Sequence, residues 1–496
     1  MVELSIRQIQ AQMVAGDLTS EFLVQSYLSR IEALDPMVNA IIEVNPDAKS
    51  IAQSLDEERS QSKVRGPMHG IPVLVKDNIE TRDAMQTTAG SLALEGHYAK
   101  QDAFIISKLR QAGAVILGKT NLSEWANFRG HKSSSGWSSR GGLTRNPYIL
   151  DRSACGSSSG SAAAVAANFC SVAIGTETDG SIICPAQTNG IVGFKPTRGL
   201  LSRTGIIPIA LSQDMPGPMG RTVEDVAFLL EAMTGEDITD LSTLDMAEHV
   251  NQHFTSSLDS RGLKGARIGI ARNMSGSNAD DLKVLDEAVL NLQKLGATVI
   301  DPVVVPKVGE FSDAELQVLH FEFNDGLNRY LNKLPEHLSL KNIKDVINFN
   351  QKHREQVMAF FGQEHMLASS EKADLTDDGY LNALKKSQLL AGDQGLGSAL
   401  ADDQLDAIVC LSGGRSWKID LVHGDSHPWD TQATSGAAVA GYPHITIPGG
   451  YIQGLPIGLS FIGSPMQDAK ILKYAYAMEQ RFPVRQAPGF LSSIED

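Results

Sequence analysis

The sequence predicts an α/β fold in which a β-sheet is sandwiched by helices, and three observations lead there. Short apolar runs that read as buried strands (Ile71–Val75, Ala114–Leu117, Ser171–Gly175) alternate with helical patterns along the chain. The 496 residues are 42% apolar, enough for a large core. A stretch of little charge, Ser153–Arg198, is dominated by Gly, Ser, Ala and Thr, which let backbone approach backbone or a bound molecule closely.

Residues 1–60 read as paired helices. Ser5 caps the first, with Ile6, Ile9 and Met13 on one face and Gly16 at its end. Thr19 opens the second, which aligns Leu23, Tyr27, Ile31 and Leu34 and stops at Asp35-Pro36. Phe104–Ala112 is a helix leading into the strand Ala114–Leu117. Two serine-bearing turns, Cys155–Ser161 and Thr178–Ser181, flank the apolar run Ala162–Ala167 and the strand after it. Thr222–Thr234 reads as a helix in which Asp225 completes a capping box. Ala266–Ala271 and Thr298–Val305 are strands around the helix Leu282–Leu295. Residues 312–401 are more polar and helical throughout, a variable cap that shapes the pocket. No repeat or low-complexity linker divides the chain. The expectation is a single domain over 1–496: N-terminal helices at 1–60, a catalytic core at 65–235, the cap, and a return to the core at 402–496.

A formal charge of −15 argues against nucleic-acid backbones and anionic membrane surfaces as partners. No run is long and apolar enough to span a bilayer, and the first residues lack the apolar centre of a signal peptide. The expected location is therefore cytoplasmic, with monomer and homodimer equally compatible. Cys155, Cys170, Cys184 and Cys410 show neither CxxC spacing nor disulfide-framework density, and read as reduced, buried thiols. The loop His423–Asp430 holds two histidines and two aspartates at metal-like spacing, but reads as a polar loop before a helix. With no HExxH, P-loop or GxGxxG, neither metal nor cofactor is expected.

Chemistry concentrates where Lys76 ends the buried strand Ile71–Val75. Such a lysine is costly unless paired or neutral. Gly156–Gly160 also matches GxSxG, the nucleophile elbow of Ser-His-Asp hydrolases. That motif should follow a buried strand directly, whereas TRNPYILDRSAC before it contains Pro147 and charged residues.

GIPVLVKDN, GAVILGKTNLSEWA, NPY, CGSSSGS, GTETDGSI, IVGFKPTRG and the C-terminal AGYPHITIPGGYIQGLPIGLSFIG, in this order, resemble the amidase signature family of hydrolases, nearest to bacterial peptide amidases. The resemblance spans the chain apart from a middle segment. It implies one large mixed sheet with helices on both faces. It also implies hydrolysis of a linear carboxamide, here the C-terminal amide of peptides, by a Ser-Ser-Lys triad: Ser181 as nucleophile, Ser157 as bridging serine, Lys76 as base. The backbone N–H groups of Thr178, Asp179, Gly180 and Ser181 are then the oxyanion donors. The resemblance leaves open a glutamine-hydrolysing subunit of a tRNA-dependent amidotransferase, and an aryl or fatty amide hydrolase.

Two positions depart from the family's commonest pattern. Asp179 replaces the first of two glycines before the nucleophile, adding a carboxylate. Ile183 stands where many relatives carry an arginine that in some meets a substrate carboxylate, which favours an apolar acyl chain or a peptide. By the same resemblance Arg129 borders the substrate; read from sequence alone, it serves equally well as a surface ion-pair partner.

Overall fold

The computed structural model describes residues 2–246, 248–249, 253–426 and 430–494. Its strands in chain order are β1 (Ile41–Val44), β2 (Pro72–Lys76), β3 (Val115–Thr120), β4 (Trp137–Ser138), β5 (Gly142–Leu143), β6 (Val172–Glu177) and β7 (Val192–Lys195). There follow β8 (Met215–Gly220), β9 (Arg267–Ile270), β10 (Thr298–Ile300), β11 (Ala407–Leu411), β12 (His444–Ile452) and β13 (Leu455–Ile462). β4 and β5 form a separate pair. The rest make one 11-stranded sheet in the order β1-β3-β2-β6-β8-β7-β12-β13-β11-β9-β10. Its two flanks, β3-β2-β6 and β11-β9-β10, are parallel, and the pairings between β6 and β11 are antiparallel. The sheet is thus large and mixed, with helices packed around it.

Every residue of β2, β6 and β8 is buried, because covered strands require apolar or small side chains on both faces. The helix Ser159–Ala166 beside them is buried on all sides. Its small residues permit this. A Cβ on Gly160 would lie 2.3 Å from the Ala40 carbonyl and 2.5 Å from that of Asn121.

The first helix, Ile6–Ala15, follows the sequence reading. Ser5 accepts from the Gln8 N–H, Gln8 returns the bond to the Ser5 N–H, and Gly16 closes it in the left-handed conformation. Asp225 does not complete the box expected of it. Thr222 does accept from the Asp225 N–H, but the Asp225 carboxylate accepts from the Ile6 N–H at 2.7 Å, tying the N-terminal helix to Val223–Met233.

The second helix runs Ser20–Val38, through the proline expected to stop it. Pro36 falls in the last turn, where little of the helix remains to be disrupted. The Asp35 carboxylate then accepts from the N–H groups of Ala40 and Ile41 and holds the exit. The first sixty residues also hold more than paired helices: the edge strand β1 and a third helix, Ala48–Ser60. The segment 312–401 is helical as expected, with Ser312–Leu331, Ile343–Lys352, Glu364–Ser370 and Asp378–Ala391 its main elements.

Candidate active site

Parallel pairing of β2 with β6 brings Lys76, the last residue of β2, beside Thr176 near the end of β6. The Lys76 side chain is fully buried. Its Nζ lies 2.7 Å from Ser157 Oγ, 2.9 Å from Ser158 Oγ and Thr176 Oγ1, and 3.1 Å from the Thr176 carbonyl. No carboxylate touches it. Burial therefore drives its pKa well below the ordinary lysine value, and the charges of Glu177 and Asp214 offset this only in part. The neighbouring Asp77 belongs to a different cluster: it accepts from Thr88 and Gly90 and faces Arg140 at 3.7 Å and Lys119.

Ser157 sits in the turn before the helix Ser159–Ala166, after a cis Gly156–Ser157 peptide. Glycine at 175 permits the close approach of this turn to β6, since a Cβ there would meet Ser158 Oγ at 2.7 Å. Ser158 fills its own hydrogen bonds, accepting from the Thr176 N–H and donating to the Thr176 carbonyl. Fully buried, it cannot serve as the exposed serine of a nucleophile elbow.

Beyond β6 the chain turns at Thr178–Ser181, with Gly180 at φ +73°. The Ser158 N–H donates to the Ser181 carbonyl at 3.2 Å, holding the two serine turns together. The N–H groups of Thr178, Asp179, Gly180 and Ser181 have no acceptor among the described residues. Sequence reasoning missed Glu177. Its buried carboxylate reaches round the turn to accept from the N–H groups of Ile182 (2.7 Å) and Ile183 (3.0 Å), pinning the turn from below. An acid shortly before a helix start was the available signal. Burial raises the Glu177 pKa, and buried Lys195 behind it offsets this.

A cavity of about 450 Å³ opens over this turn, lined by Thr178, Asp179, Gly180 and Ser181 and, opposite, by Thr431–Thr434. Cys155 and Cys184 also line it and are joined by a disulfide, Cα–Cα 6.0 Å. The expectation of four reduced thiols therefore fails for these two. The fold brings together residues 29 apart in sequence, which no spacing rule anticipates. Cys170 and Cys410 are free and buried.

Arg129 is neither a surface ion-pair partner nor part of the cavity lining. Its guanidinium is completely buried, 3.1 Å from the equally buried Glu124. It also donates to the carbonyls of Val357 and Phe361 and stacks on the Phe361 ring at 3.9 Å. It fastens the core loop to the cap. Arg129→Met is expected to cost about 3–5 kcal/mol, because Glu124 would be left buried and unpaired; the urea midpoint measures it. A raised KM with unchanged stability would instead return Arg129 to the substrate.

In the polar loop, His423 bonds back to Asp420 at 2.7 Å, and His427 lies outside the described residues. Among the described residues no cluster of His, Cys, Asp or Glu could hold a metal, and no helix is long and apolar enough to cross a membrane.

The sequence model of the amidase family matches residues 22–472. A solved structure of the native peptide amidase from Stenotrophomonas maltophilia superposes with a TM-score of 0.93 at 48% identity, covering 99% of both chains. A probable amidase of Arabidopsis thaliana is 39% identical over 99% of this chain and 92% of its own length. The amidase-like component of the glutamyl-tRNA(Gln) amidotransferase of Symbiobacterium thermophilum is 34% identical over 96% of each.

Proposed function

The chain belongs to the amidase family of hydrolases acting on amide C–N bonds, and from that premise we propose that it releases ammonia from the C-terminal amide of peptides through an acyl-enzyme on Ser181. One observation carries the mechanism: a buried lysine without a carboxylate partner, 2.7 Å from a serine hydroxyl. An amine held neutral by its surroundings has a lone pair directed at that hydroxyl and can act as base. Ser181 Oγ attacks the amide carbon. Its proton passes to Ser157, whose own proton goes to Lys76. The unpaired N–H groups at 178–181 receive the oxyanion. As the C–N bond breaks, the proton returns through Ser157 to the nitrogen and ammonia leaves. Water then attacks the ester by the same relay, releasing the carboxylic acid and restoring Ser181.

The likeness to the peptide amidase and the apolar Ile183 support a peptide as substrate. Residues 312–401 are the proposed cap over the cavity, and Leu319 of this segment lines it. Ammonia release by the purified chain is the test, with peptide amides, aryl amides, fatty amides and glutamine as substrates. Peptide amides should lead. Turnover of glutamine alone would assign the chain to amidotransferase chemistry instead.

No histidine should be needed. His444 is buried with Nε2 2.6 Å from Ser460 Oγ, away from the cavity, and His423 is exposed. His423→Ala, His427→Ala and His444→Gln are each expected to keep kcat within about 10-fold of the parent, whereas loss of a true general base costs about 10²–10⁴-fold. A loss of the larger size in a folded variant would revive a His-based mechanism.

A further inference from the structure

Two carboxyl groups beside the nucleophile turn have no cation. Asp179, two residues before Ser181, lines the cavity. Ser435 Oγ donates to its Oδ2 at 2.7 Å, while Oδ1, shielded from solvent, has no hydrogen-bond partner. Glu315 is buried on the cap helix Ser312–Leu331, and its Oε1 accepts from Gln213 Nε2 at 2.9 Å. Gln213 also donates to the Thr178 carbonyl at 3.2 Å, so cap and turn are linked. Burial and the neighbouring charge of Asp179 push the Glu315 carboxyl up to about 8.

Other buried acids of this protein are treated differently. Glu124 has Arg129, Asp240 has Arg203, and Asp77 has Arg140 and Lys119. Among the described residues no lysine or arginine answers Asp179 or Glu315. An unpaired carboxylate in a poorly solvated wall is unfavourable until a counter-charge arrives, and charge-assisted hydrogen bonds are the strong ones.

We infer that Asp179, backed by Glu315, forms a subsite for a cationic group on the acyl part of the substrate, an ammonium or a guanidinium. The inference rests on amide hydrolysis at Ser181. Because the amine released is ammonia, the cation must belong to the acyl side. Two sources share this chemistry: the α-ammonium of a short peptide and a basic side chain.

Matched pairs of substrates test it through the ratio of kcat/KM, cationic over neutral. Acetyl-Ala-Lys-amide against acetyl-Ala-norleucine-amide reads the side chain. Ala-Phe-amide against acetyl-Ala-Phe-amide reads the α-ammonium. 4-(Aminomethyl)benzamide against 4-ethylbenzamide asks the same question without a peptide. The ratio is expected to be at least about 10 in one pair, and to fall to within about 3-fold of unity in Asp179→Asn, which keeps the shape and the Ser435 bond. Asp179→Gly, which restores the commoner family residue with its backbone donor, is the second variant and should behave alike. Ratios at or below unity in every wild-type pair, or a preference that survives both variants, overturn the subsite. Turnover of the aryl amides with none of the peptide amides would overturn the peptide reading, and the aryl pair would still decide the subsite. No turnover of any amide would overturn both.

Discussion

Ser181→Ala is expected to lower kcat by about 10⁴-fold or more on every amide while leaving the fold intact. The hydroxyl stands on a turn that the rest of the site is built to present. Gly180 takes the positive φ the turn needs, Glu177 anchors the two N–H groups that follow, and the N–H groups at 178–181 are left free. None of these depends on the Ser181 side chain, so truncation should remove the nucleophile and little else. The variant should keep the melting temperature of the parent and a residual rate above background, since the oxyanion donors remain. It should also lose covalent labelling by a fluorophosphonate. Near-parental turnover in a folded Ser181→Ala protein would remove Ser181 from its role and turn attention to the other cavity hydroxyls, Thr178 and Ser135.

What could be read from sequence was what is decided locally. The helix Ile6–Ala15 announces both its ends through Ser5 and Gly16, and the strand before Lys76 is marked by a continuous apolar run. The two serine turns and the lysine were legible because their residue types have few other uses in that pattern. Properties that depend on distant chain were not. Arg129 is held by carbonyls 228 and 232 residues away, so nothing near it in sequence reveals that it is buried. Asp225 looks locally like half of a capping box, yet a backbone N–H 219 residues away takes its carboxylate. β1 has four residues and no alternation, too little signal to separate it from a loop. The Cys155–Cys184 pairing and the meeting of Asp179 with the cap are likewise products of the assembled sheet.

Lys76→Ala should be as damaging as loss of the nucleophile on amides, and its pH behaviour separates a base from a structural cation. Burial favours the neutral amine, and only that form can take the proton from Ser157. Lowering the pH adds a proton to Lys76 and stops the relay. Activity should therefore rise with pH along an acid limb that reports the coupled Lys–Ser–Ser system rather than one isolated group. In Lys76→Ala that limb should flatten, with partial recovery at high pH where hydroxide can take over. Lys76→Arg should do no better than alanine, because a guanidinium stays protonated at any workable pH and cannot accept a proton. If Lys76 merely ordered the two turns as a cation, arginine would keep both charge and donors and preserve most of the activity. The geometry argues against that alternative: four oxygens surround Nζ, but they come from hydroxyls and a carbonyl, and Asp77, the acid next to it in sequence, is taken by Lys119 and Arg140. An active Lys76→Arg enzyme with an unchanged pH profile would defeat the general-base role and leave Ser181 in need of another proton acceptor.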